Sequence, residues 1–82
     1  MTQPIQHKQV DFSPRFLRRL KCCLVSELHK LCEYFSETES DMLQAINNGQ
    51  MLIGLLHSFQ GRRCLFLEYN QIQVIVPVYE VH

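Results

Sequence analysis

Arg15, Arg18 and Arg19 fall within five residues, flanked by Lys8 and Lys21, and form the densest group of chemically useful side chains in the sequence. If residues 14–35 form a helix, the three guanidinium groups project together from its first turn and a half, beside backbone N–H groups with no helical partner. Cations there oppose the helix dipole by ~0.3–1 kcal/mol each, and a bound phosphate would reverse that cost by engaging both the arginines and the free N–H groups. Arg62 and Arg63, expected in a hairpin turn, reinforce such a site if they fold onto the same side. The chemistry implied is phosphate or nucleic-acid contact through Arg15, Arg18, Arg19, Lys21, Arg62 and Arg63. The competing reading is a solvated face neutralised by Asp11 or by acids of a neighbouring subunit. Residues 1–21 carry a balance of +4 and residues 22–41 one of −4, within a chain of zero net charge. A neutral total removes any general argument for nucleic acid or anionic membrane, so charge has to be read locally.

Cysteine and histidine, four of each, raise metal binding. His29 and Cys32 stand at i and i+3, close enough on a helix to share an ion if Cys64 or His57 approaches. The sequence has no C-x2-C, no H-x3–5-H and no second helical pair, and cysteine is among the residues most often buried for its apolarity. No metal site and no cofactor are expected. For catalysis, Gly49, Gly54 and Gly61 stand apart and make no phosphate cradle, while Ser26, Ser58, His29 and His57 form no pattern that differs from polar side chains facing water. A small domain also has little room for a ~300 Å³ pocket beside its core. The expectation is a protein that is not an enzyme. Cys22 projects from the polar side of the first helix, where Arg18 and Arg19 would favour its thiolate; it is equally readable as an inert surface residue. The eight aromatic residues, five of them Phe with no Trp, lack the basic interleaving of a base-stacking surface and read as core.

These side chains need a scaffold, and 82 residues make one domain that buries roughly 60% of the surface exposed by its unfolded chain. With 46% apolar and 20% charged residues, three Gly and three Pro, the composition belongs to a folded globular chain. No apolar run approaches the ~18 residues of a membrane span, and residues 1–14 lack the pattern of a signal peptide. Cys22 and Cys23 are adjacent, and on one helix they lie about 13–15 Å from Cys32, too far to bridge. That spacing is no disulfide framework, and a cytoplasmic protein is expected.

Residues 1–12 read as a polar, Gln-rich arm, compatible with a short edge strand, and residues 13–82 as the domain. Ser13 followed by Pro14 is a helix start, because the serine can accept a free N–H and proline gives up one that has no partner. The first helix is expected from Pro14 to Phe35, where Leu17, Leu20, Leu24, Leu28, Leu31 and Phe35 repeat at threes and fours on one face. Thr38 with Asp41 resembles a capping box that starts a second helix, carrying Met42, Leu43 and Ile46 and ending at Asn47-Asn48-Gly49. Beyond Gln50 the apolar residues run nearly continuously. They predict strands over 50–58, 63–69 and 72–81, with turns at Gln60–Arg62 and Asn70-Gln71. Residues 50–59 also fit a helix through Leu52, Leu55, Leu56 and Phe59, and Gly54 weakens either assignment. The predicted fold is α+β with two layers: two helices packed on a three-stranded antiparallel sheet (ααβββ), with the N-terminal arm available as an extra edge strand.

Both faces of the predicted sheet are apolar, and two helices cover one. Ile75, Pro77, Tyr79 and Val81, with Leu65 and Leu67, are therefore the expected association surface, through face-to-face packing or through edge pairing by the last strand, where Pro77 suggests an edge. Helices on opposite faces of the sheet would instead leave a monomer. The sequence thus points to a small regulatory or adaptor module that binds protein and forms a homodimer. The alternative is a dimeric nucleic-acid-binding regulator using the basic start of helix one.

Overall fold

The computed structural model describes residues 3–13, 15–57 and 62–77. Its elements are β1 (Val10–Asp11), α1 (Leu17–Ser26), α2 (Leu28–Phe35), α3 (Glu39–Asn47), β2 (Leu52–His57), β3 (Arg63–Tyr69) and β4 (Ile72–Pro77), with a single 3-10 turn at His7–Gln9 ahead of β1. The strands form one antiparallel sheet in the order β1-β2-β3-β4. The class is α+β, with three helices on a four-stranded sheet: one helix more than the ααβββ core predicted, and a fourth strand, β1, supplied at the edge by the N-terminal arm.

The additional helix comes from a break in the predicted 14–35 rod. Ser26 donates its hydroxyl to the Cys23 carbonyl at 2.6 Å, competing with the helix for that acceptor. Glu27 then leaves helical geometry at φ −109°, ψ 31°, its N–H shared between the Cys23 and Leu24 carbonyls. The leucine stripe survives the break, because Leu20, Leu24, Leu31 and Phe35 all reach the core. The start of α1 also differs from expectation. Ser13 caps no helix; its N–H and hydroxyl both donate to the Asp11 carboxylate, at 3.0 and 3.2 Å. Phe16 holds the cap position with no side-chain bond, and Pro14 lies outside the described residues.

α3 starts and stops as its sequence predicts. Thr38 accepts the Asp41 N–H at 3.2 Å, and Glu39 and Asp41 suit the positive helix end. At the other end Gly49 takes φ +70°, the Gln50 N–H reaches back to Ala45 and the Gly49 N–H to Ile46. This paired return is a Schellman cap, which needs a residue tolerant of the left-handed region.

Residues 52–57 are strand, so the helical alternative for 50–59 does not hold there. They pair with β3 in the register Leu52↔Glu68 through His57↔Arg63. The turn predicted at Gln60–Arg62 falls largely on 58–61, outside the described residues, as does the end of the last strand beyond Pro77. β3 and β4 are joined by Asn70 and Gln71, both at positive φ (53° and 65°), as a two-residue hairpin with right-handed strand twist requires.

Opposed residues of an antiparallel sheet share a face, so the register sorts the side chains. Ile53, Leu67 and Val74 form one row and Leu55, Leu65 and Val76 the next; both rows pack against the helices with Met42, Ala45 and Ile46. The rows Gly54-Phe66-Ile75 and Leu56-Cys64-Pro77 point the other way. Leu65 and Leu67 are fully buried beneath the helices and so do not share a surface with Ile75 and Pro77, as the sequence grouping supposed. The helices do occupy one face only. The second is crossed by residues 5–12, which no sequence periodicity had placed there.

Candidate interaction surface

A hydrogen-bonded polar cluster lies on the outer face of the sheet, where the N-terminal arm crosses it. Gln73 on β4 holds Ile5 by its main chain: the Ile5 N–H donates to the Gln73 side-chain carbonyl at 2.8 Å, and the Gln73 amide donates to the Ile5 carbonyl at 2.9 Å. The same amide donates to Glu68 Oε2 at 2.8 Å. The other carboxylate oxygen, Oε1, meets His7 Nε2 at 2.9 Å. Gln73 and Glu68 are directly opposed across β4 and β3, which brings the two side chains together. The Gln73 hydrogen bond, helped by His7 and opposed by burial, holds the Glu68 carboxyl below its ordinary range.

Beside this polar row lies an aromatic one. Phe12 meets Phe66 edge to face at 5.9 Å, and His7 touches both, at 5.4 Å from Phe12 and 6.3 Å from Phe66. Phe66 is fully buried although it points away from the helices. Gly54, opposite Phe66, makes the crossing possible. A Cβ there would come within 2.5 Å of Val10 Cγ1, 2.8 Å of the Asp11 carbonyl and 3.1 Å of Phe12. The glycine that weakened the strand prediction is thus required by close backbone approach.

The basic residues are distributed differently from the predicted cluster. Arg15, Arg18, Arg19, Arg62 and Arg63 are exposed and Lys21 is half-buried. No ion pair engages any of them among the described residues. α1 begins beside the start of β2, since Leu17 and Lys21 line one cavity with Gly49, Met51 and Leu52. Arg63 pairs with His57 at the far end of that strand, five residues or about 17 Å away. The two basic groups therefore sit at opposite ends of β2 and do not form one site.

Among the described residues no three His, Cys, Asp or Glu side chains are gathered as metal ligands. All four cysteines are free. Cys32 belongs to the helical layer and Cys64 to the outer face of the sheet, so the sheet separates the two thiols that would have had to meet. Burial, then Glu39 and Glu33, push the Cys32 thiol up, away from the reactive thiolate. Cys22 is exposed on an open groove of ≈ 370 Å³ with Lys21, Val25, Ile46 and Asn47. A smaller crevice of ≈ 30 Å³ lies between Leu24, Leu31 and Val76, room for about one water. Neither gathers the converging polar groups of a substrate pocket. Ser58 lies outside the described residues, and His29 and His57 are exposed.

Of the expected association surface, Ile75 is exposed and Pro77 half-buried, while Tyr79 and Val81 lie outside the described residues. Sequence reasoning missed His7, Glu68 and Gln73. The available signal was the intrusion of Glu68 and Gln73 into two otherwise apolar strands, where a half-buried polar side chain needs a partner. No helix among the described residues is long and apolar enough to cross a membrane. No protein-family model, curated protein or solved structure matches the chain.

Proposed function

We propose that the chain is a small non-enzymatic protein–protein interaction module, cytoplasmic, acting as a homodimer through the apolar sheet at β4. The observation that carries this reading is the outer edge of β4. No strand pairs with it among the described residues, and Ile72 and Ile75 along it are 39% and 40% exposed. Tyr69 and Ile72 close the two-residue hairpin, and since the closing pair of such a hairpin is a hydrogen-bonded one, the alternation of an antiparallel ladder points the main chains of Gln73 and Ile75 outward. Pro77, two residues further on, has no N–H to leave unpaired on that side. An apolar edge strand without a lysine is a template for another strand. A second copy related by a two-fold axis at Val74 would set Gln73 against Ile75 and Ile75 against Gln73, satisfying the outward groups of both chains in an isologous contact. Four free cysteines suit a reducing compartment.

Sedimentation equilibrium at low micromolar concentration tests this. The expected result is a species of twice the chain mass, unchanged by salt and reduced to the chain mass by Ile75→Lys. A wild-type protein at the chain mass, with Ile75→Lys equally soluble and folded, overturns it.

A further inference from the structure

We propose that the outer face of the sheet is a docking surface for a short peptide of a partner protein, one that makes a single tight turn between an imidazole or cationic side chain and an aromatic ring five residues further on, as His7–Gln9 does here, and that residues 5–12 of this chain are its intramolecular occupant. The proposal rests on the interaction-module reading and names the partner chemistry for it, but it does not need the β4 contact.

Three observations carry it. First, the arm is held by its main chain as well as its side chains. The Gln73 side chain takes both the N–H and the C=O of Ile5, at 2.8 and 2.9 Å, a contact that does not depend on which side chain stands at that position. Second, the two side-chain contacts are specific and five residues apart. Glu68 receives His7 Nε2 at 2.9 Å, and the ring of Phe12 packs on Phe66 above the close approach that only Gly54 permits. Third, the occupant is lightly held. Of residues 3–13 only Val10 is buried, with Ile5 and Phe12 half-buried and the rest exposed, whereas Phe66 beneath them is fully enclosed. A segment with so little buried surface belongs to the low end of local opening free energies, and every contact that it makes is non-covalent and available to a second chain. The tether gives the arm a millimolar effective concentration, so a partner peptide has to compete with it.

The test uses the full chain and a fluorescent peptide of residues 3–13, followed by anisotropy. Two variants weaken the arm in cis: Phe12→Ala, and His7→Ala at an exposed position where folding is not at stake. Circular dichroism checks both. The peptide is expected to bind each folded variant at least tenfold more tightly than it binds wild type, and a peptide with both His7→Ala and Phe12→Ala is expected not to bind. Failure of the wild-type peptide to bind His7→Ala, or equal binding to wild type and to the variants, overturns the proposal while leaving the homodimer untouched. If the peptide instead splits a dimer into chain-mass species, the natural occupant is the arm of a second copy, and the assignment to a separate partner protein falls.

Discussion

Glu68 joins the two ends of the described chain: through His7 and Gln73 its carboxylate ties the arm to the last strand. Its pKa is depressed in the folded protein, so it contributes stability that is present above the unfolded value of about 4.3 and lost as pH falls through the lower folded value. Urea denaturation from pH 6 to pH 2 should therefore show wild type losing stability, relative to Glu68→Gln, once the pH drops below about 4.3. Parallel curves for the two proteins would mean that the carboxylate contributes nothing. The residue itself was easy to see in the sequence, but its role was not. Its partners are 61 and five positions away, and only the pairing of β3 with β4 brings them together.

Among the elements, those that depend on neighbouring residues were legible. Thr38, Asp41 and Gly49 set the limits of α3 through contacts within a few positions, and the β3–β4 turn was visible in Asn70-Gln71. The break at Glu27 was not legible, because the apolar stripe continues across it and the Ser26–Cys23 hydrogen bond that accompanies it leaves no mark in the pattern. The β3–β4 turn also carries a strained residue. Gln71 holds φ 65° with a full side chain, where the left-handed region costs non-glycine residues roughly 1–2 kcal/mol, and Gly would remove most of that at some cost in unfolded-state entropy. Gln71→Gly is expected to stabilise the protein by about 0.5–1 kcal/mol, seen as a higher urea midpoint with an unchanged slope. A lower midpoint would show that the Gln71 side chain makes a contact worth more than the strain.

At the scale of the molecule, charge and apolar surface remain to be divided between partners. Arg15, Arg18 and Arg19 are exposed, and Arg18 and Arg19 oppose the dipole of α1, whose first turn holds no acid. Replacing all three by Glu should leave folding and association intact, with a stability change within about 0.5 kcal/mol or slightly favourable. Loss of folding would make the cluster structural. Retained folding, with wild type but not the variant held on nucleic acid in a manner that falls steeply with salt, would favour the alternative function of a nucleic-acid-binding regulator. The sequence by itself determined the class of the fold, the alternation of side chains along β3 and β4 and the limits of α3, because periodicity, caps and turn residues act over a few positions. Only the tertiary structure decided which apolar residues face the helices, which face the arm, and where the basic groups lie. Leu65 and Ile75 look alike in a strand pattern, and it is the pairing register and the layer above each face that enclose one and leave the other open.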